Sequence, residues 1–149
     1  AVARAVPTDA GSEAVTNMPD LATTLLEKGV EVTVTGGTLR PTPRALVGPT
    51  AESFLDSHHV DVLFIGTNGL DAEAGLTTPN EAEAAVKSRL VAQAGRVVLV
   101  ADSSKFGEQS FVTFTDLDAV DTLVTEQTPT GALAEALADA GVSVLEAGQ

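Results

Sequence analysis

Short apolar runs alternate with amphipathic stretches along the chain, and glycine or proline marks most of the joints between them. Glu13 to Asn17 reads as a short strand. Pro19 to Lys28 reads as a helix, with proline at its start and Gly29 just past its end. Val30 to Thr35 alternates apolar and polar residues and is rich in β-branched side chains, which predicts a strand ended by Gly36-Gly37. Thr38 to Pro43 reads as irregular and Thr50 to Asp56 as helical. Val60 to Ile65 reads as a buried strand. Gly66 to Pro79 is expected to be a long loop. Asn80 to Ala94 is the strongest helix: Asn80 is placed to cap it, Glu83 stands three residues on, and Ala84, Ala85, Val86, Leu90, Val91 and Ala94 supply an apolar face. Arg96 to Ala101 is a strand, Phe111 to Phe114 a short one, and Asp121 to Thr125 another. Thr130 to Ala140 is a helix closed by Gly141, and Val142 to Leu145 is the last strand. Strands separated by helices predict an α/β fold, a predominantly parallel sheet with helices on both faces. No repeat or linker interrupts the pattern, so a single domain over residues 1–149 is expected.

In open α/β sheets, ligands bind outside the carboxyl ends of the strands. Three strand ends here carry suitable residues. The apolar run Val97-Val98-Leu99-Val100 is followed by Ala101 and then by Asp102-Ser103-Ser104-Lys105. A lysine beside two hydroxyls can hold a phosphate or carboxylate by charge and hydrogen bonds. Ile65 is followed by Gly66-Thr67-Asn68-Gly69, and Thr35 by Gly36-Gly37. Glycine after a strand lets the backbone turn tightly and brings its amides close to a ligand. The helix start near Asn80 adds positive potential. No dinucleotide fingerprint and no Walker A sequence is present.

Composition narrows the class. Apolar residues make up 44% of 149, enough for a packed core. Aromatic residues are 3%, so that core is built from Val, Leu and Ala. There is no cysteine, which excludes disulfides and thiolate metal sites and fits the cytoplasm. No run is long and apolar enough to span a membrane, and no signal peptide is visible at Ala1-Val2-Ala3-Arg4. No cofactor is implied.

The charge is unusual: 8 Lys plus Arg stand against 21 Asp plus Glu, a formal net charge of −13. Such acidity predicts either a protein adapted to high salt, where self-repulsion is screened, or an acidic partner surface. It also excludes DNA binding by this segment, which has no basic stripe to neutralise phosphates. In this setting Lys105 and Lys87, two of the three lysines beside Lys28, carry extra weight.

Other polar residues are less informative. Glu83 and Lys87 stand four apart and share a helix face, either as a surface ion pair or as residues flanking a ligand. His58 and His59 read as solvent-facing turn residues; adjacent side chains point apart and do not make a metal site. Asp71 and Glu73 read as solvated loop charges. No Ser-His-Asp arrangement is visible.

Taken in order, these segments resemble the effector-sensing domain of DeoR-type transcriptional repressors. The resemblance runs through Val15-Thr16-Asn17, Thr35-Gly36-Gly37-Thr38-Leu39-Arg40, Val47-Gly48, Asp61 to Leu70, Gly75-Leu76-Thr77, Glu83-Ala84-Ala85-Val86-Lys87 and Asp102 to Gly107. It implies the fold shared by ribose-5-phosphate isomerase, CoA transferases and translation initiation factor 2B. It also implies a phosphorylated sugar or polyol effector at the strand ends. The effector-binding candidates are Asn17, Gly36, Gly37, Arg40, Gly66, Asn68, Gly69, Glu83, Lys87, Asp102, Ser104 and Lys105.

Family members carry an N-terminal winged helix-turn-helix that binds operator DNA, and a glycine-threonine-rich phosphate loop ahead of a segment like Val2 to Val6. Neither is present in this sequence, which is therefore expected to be truncated at its N-terminus, with operator contact made only through the missing part. Operator binding implies a symmetric homo-oligomer. Isomerases of this fold carry an acidic pair after the strand equivalent to Val60–Ile65, where this chain has Gly66-Thr67-Asn68-Gly69. An isomerase needs a carboxylate base near the substrate carbon. The expectation is thus a sensor domain rather than an enzyme. The alternative is a sugar-phosphate isomerase with Glu83 as base and Lys105 or Lys87 as electrostatic stabiliser.

Overall fold

The computed structural model describes residues 13–147; the segment Val2 to Val6 lies outside them. The chain divides into two compact units, up to His58 and from His59 onward.

The first unit opens with strand β1 (Glu13–Thr16), helix α1 (Pro19–Glu27) and strand β2 (Glu31–Val34). β1 and β2 pair in parallel, so α1 is their crossover. Leu25 and Val30 are buried, with Ala14, Leu21 and Val32 packed around them. Next come β3 (Thr38–Pro41), β4 (Arg44–Val47) and helix α2 (Pro49–Asp56), which buries Ala51 and Leu55. β3 and β4 form an antiparallel hairpin, with Arg40 opposite Ala45. The stretch Thr38 to Pro43 is thus not irregular. Its prolines, Pro41 and Pro43, sit at the end of β3 and in the turn, where a missing N–H does not break the ladder. His58 and His59 are exposed, as expected, and His58 stacks on Phe54.

The second unit contains β5 (Val60–Ile65), β6 (Gly69–Asp71), β7 (Gly75–Thr78), helix α3 (Glu81–Gln93), β8 (Ala94–Val100), β9 (Val112–Thr115), β10 (Thr122–Thr125), helix α4 (Gly131–Asp139) and β11 (Ser143–Glu146). Its main sheet has the order β11-β10-β8-β5, and every pairing in it is parallel. A second sheet, β6-β7-β9, is antiparallel. The fold is therefore α/β with a mostly parallel central sheet.

The core lies on one face of that sheet. Leu63, Ile65, Val97, Leu99, Ala101 and Leu123 point into it and meet Ala84 of α3 and Leu133 and Leu137 of α4. Both helices of this unit serve that face. On the opposite face Val62, Phe64, Val100 and Leu145 are exposed, Phe64 by 55% and Leu145 by 56%. The apolar run Val60 to Ile65 thus buries one face, not two. A continuous apolar run does not distinguish the two cases.

The expected long loop Gly66 to Pro79 is a hairpin. Asp71 makes its turn: Oδ2 accepts from the Glu73 amide at 3.0 Å, the Ala74 amide at 2.8 Å and Gln109 Nε2 at 3.0 Å. Asp71 is therefore a structural acceptor rather than a solvated charge, and the Ala74 amide above all holds its carboxyl below the usual carboxylate range. At the start of β6 a side chain on Gly69 would lie within 2.6 Å of Thr77 Oγ1 and closer still to the Glu108 carbonyl oxygen. Only glycine fits there.

Candidate functional site

Parallel strands bring the ends of β5, β8 and β10 to one edge of the sheet in the second unit, and the polar residues gather there. β5 ends at Ile65 and Gly66 follows. Lys87, in the second turn of α3, donates from Nζ to the Gly66 carbonyl oxygen at 3.1 Å, and its ammonium lies 5.1 Å from the centre of the Phe114 ring. Burial pulls this ammonium below the ordinary lysine range, while the nearby Glu83 carboxylate pulls the other way. Glu83 is 7% exposed, so the pair is not a surface ion pair.

The helix that carries both residues starts as its sequence implies. Asn80 Oδ1 accepts from the Glu83 amide at 3.0 Å, and Glu81 and Glu83 fill the first turn. These groups already complement the helix N-terminus, so it adds little positive potential for a ligand.

Beyond β8, Ala101 donates its amide to Val124 of β10 at 3.1 Å, and then the chain leaves the sheet. Ser103–Lys105 form a short 3-10 turn. Asp102 Oδ1 caps it, accepting from the Ser104 amide at 2.9 Å and from the Ser104 hydroxyl. The Ser104 hydroxyl, then its amide, hold the Asp102 carboxyl below its ordinary value, and Lys105 lowers it further. The turn is tied at its far end, where the Gly107 amide donates to Leu70 of β6 at 2.8 Å. Lys105 is half-buried and Ser104 exposed.

Two residues of this edge carried no signal of their own in the sequence. Glu126, the first residue after β10, accepts from the Ser103 hydroxyl at 2.6 Å and from the Ser103 amide at 2.8 Å. Both bonds lower its pKa, the hydroxyl's more. Glu126 follows its strand as Gly66 follows β5, so the strand-end rule applied to β10 locates it. Phe114 was visible only as a strand residue.

The other predicted residues take different places. Asn68 donates its amide to Thr77 at 3.1 Å and accepts from the Thr78 hydroxyl at 3.2 Å, so it joins the hairpin to the strand end. Its neighbour Thr67 is buried and donates to the carbonyl oxygens of Gly69 and Thr77. Gly69 is an internal packing position.

Asn17, Gly36, Gly37 and Arg40 belong to the first unit. Asn17 Nδ2 donates to Leu46 at 3.1 Å, and the Leu46 amide returns a bond to the Asn17 carbonyl at 2.7 Å, so Asn17 ties β1 to β4. Gly37 has a φ of +116°, and a Cβ there would meet the Val47 carbonyl oxygen at 2.6 Å. Gly36 is half-buried beside it, and Arg40 is half-buried on β3.

A shallow hollow of about 480 Å³ elsewhere in the second unit is lined by Glu73, Asp116, Asp118 and Asp139, among others. Its carboxylates repel an anion. Among the described residues, no cluster of histidine and carboxylate side chains is arranged to hold a metal ion, and no helix is long and apolar enough to cross a membrane.

Residues 1–127 match the family described as the DeoR C terminal sensor domain. The chain is 52% identical to the HTH-type transcriptional regulator GlpR of Haloferax volcanii, over 97% of this chain and 57% of that protein. It is 37% identical to a putative aga operon transcriptional repressor of Escherichia coli O157:H7, over 91% of this chain and 51% of the relative. A more distant relative, 28% identical over 93% of this chain and 56% of its own length, is the glycerol-3-phosphate regulon repressor of Escherichia coli K12. The chain thus spans little more than half the length of these relatives. The ordered motifs, the mostly parallel α/β sheet and the match over most of its length agree: this chain belongs to the DeoR C terminal sensor domain family.

Proposed function

We propose that the chain is the effector-sensing domain of a transcriptional repressor that answers to a phosphorylated sugar or polyol. The effector's phosphate is held at the carboxyl edge of the β5-β8-β10 sheet by Lys105, with Lys87 beside it. The observation that carries this reading is the placement of lysine. In a chain of net charge −13 with three lysines, two stand at the ends of adjacent parallel strands. An ammonium–phosphate contact is among the stronger hydrogen bonds available to a protein. Asp102 and Ser104 shape the Lys105 turn, and Gly66 anchors Lys87. The name of the Escherichia coli K12 relative, a glycerol-3-phosphate regulon repressor, supports a phosphorylated effector. DNA contact belongs to the part of the relatives that this chain does not span.

A sensor rather than an isomerase is favoured because Gly66-Thr67-Asn68-Gly69 follows β5, with no carboxylate among them. A thermal-shift panel tests the reading, since a ligand that binds only the folded state raises its melting temperature. Glycerol phosphate, fructose phosphates and ribose 5-phosphate are compared with their unphosphorylated parents. The reading expects at least one phosphorylated compound to raise the melting temperature and its parent to leave it unchanged. Equal shifts from both, or conversion of ribose 5-phosphate to a ketose, would contradict it.

A further inference from the structure

The edge that is proposed to receive an anion keeps a carboxylate at the end of β10. Glu126 is exposed, yet both of its carboxylate oxygens are engaged by Ser103: Oε1 takes the amide at 2.8 Å and Oε2 the hydroxyl at 2.6 Å. Thr125 Oγ1 adds a third bond, to Oε1, at 3.1 Å. Exposed charges seldom hold one geometry, because ordering a long side chain costs entropy. Here two charge-assisted bonds to a single residue fix the carboxylate.

Glu126 stands where it governs the lysine turn. β10 and β8 are neighbours in the sheet, and the last rung between them is the bond from Ala101 to Val124. Past that rung the Ser103–Glu126 clamp is what the structure shows joining the turn to β10. Within the turn, the Lys105 amide donates to Asp102 at 3.1 Å and the Phe106 amide to Ser103 at 3.1 Å. A shift of Ser103 therefore moves the backbone that carries Lys105.

We infer that Glu126 is a positioning residue for effector binding: it clamps Ser103 to the end of β10 and thereby fixes where Lys105 presents its ammonium. Glu126 does not meet the phosphate; its own charge opposes an anion, and the clamp outweighs that opposition. The inference rests on the proposed reading of Lys105 as the phosphate ligand.

The test titrates the full chain calorimetrically with whichever of glycerol phosphate, the fructose phosphates and ribose 5-phosphate binds the unsubstituted protein most tightly, and follows amide hydrogen exchange in the ligand-free state. Glu126→Ala is expected to weaken binding by about threefold or more, the range of a lost pairwise coupling. The amides of Ser103 to Phe106 should then exchange faster, while α3 and β8 keep their protection. Glu126→Gln, which retains an acceptor, should restore most of the affinity. Ser103→Ala added to Glu126→Ala should cost nothing more, because the two residues act through one contact. Unchanged or tighter binding by Glu126→Ala, with the unsubstituted protein binding normally, overturns the inference and leaves the phosphate reading standing. No binding of any of these compounds by the unsubstituted protein overturns both.

Discussion

Lys87 reaches from α3 to the carbonyl oxygen of Gly66, 3.1 Å away, and so joins a helix to the residue that ends β5. Its side chain is half-buried, which costs stability by partly desolvating the ammonium, and it receives a carbonyl, an aromatic face and the nearby Glu83 carboxylate in return. A partly desolvated charge of this kind is a candidate for binding as well as for folding.

Lys87→Met therefore separates the two roles. The lost hydrogen bond and cation–π contact, each worth about 1 kcal/mol, are offset by relief of the desolvated charge. Stability in a urea titration is expected to stay within about 1 kcal/mol of the unsubstituted protein, while sugar-phosphate affinity falls. Severe destabilisation with affinity intact in the folded fraction would make Lys87 a purely structural residue.

Gly69→Ala acts in the opposite sense. The new methyl group would overlap Thr77 Oγ1 and the backbone of Glu108, neither of which is the free end of a flexible chain. A loss of about 1–3 kcal/mol or more is expected, as for an overpacked core site. A melting temperature equal to that of the unsubstituted protein would show that the β6-β7 hairpin yields more readily than its packing implies.

The mostly parallel sheet of the second unit and the four α-helices among the described residues were legible in the sequence, because β-branched runs and helical periodicity follow directly from burial. Two hairpins were not. Thr38 to Val47 contains Pro41 and Pro43, and Gly66 to Thr78 contains Gly66, Gly69 and Gly75; such residues mark turns, and strands of three or four residues between them leave too few positions to show alternation. Of the candidate site, only some residues stood out in the sequence. Lys105, Asp102 and Ser104 announced themselves as a polar break after an apolar run. Asn17 and Gly37 read equally well as ligand contacts, but their observed bonds and close approaches to β4 are structural. Glu126 was hidden because one carboxylate among 21 acidic residues carries no signal until its partner Ser103 is seen.

Acid should expose a structural use of those carboxylates. The Ala74 amide chiefly lowers the pKa of Asp71, the Ser104 hydroxyl and then its amide that of Asp102, and the Ser103 hydroxyl and then its amide that of Glu126. A carboxyl whose pKa is lower folded than unfolded contributes its full stabilisation above the unfolded value, near pH 4, and loses it as the pH falls through the lowered folded value. Stability measured by denaturant titration should thus decline below about pH 4, and less steeply in Asp71→Asn. An identical acid profile in that variant would remove Asp71 from the account.

Salt should act on the whole surface. A net charge of −13 on 149 residues repels itself, and molar KCl shortens the Debye length to a few ångströms. The melting temperature should rise from low to molar KCl, and more than it does with an equal osmolality of sucrose, which strengthens burial without screening. Equal rises in both would assign the effect to burial and not to screened charge.

The claim that the strand ends beside Lys105 and Lys87 hold the effector's phosphate is tested most directly by Lys105→Ala. One ammonium–phosphate contact is worth roughly 1.5–3 kcal/mol, so its loss should weaken sugar-phosphate binding by about tenfold or more. The side chain is only half-buried on a short turn, so circular dichroism should show the fold unchanged. Calorimetric titration of the variant beside the unsubstituted protein gives the answer. A folded variant with at least a tenfold higher Kd is the result expected here; a folded variant with the Kd of the unsubstituted protein would contradict the site.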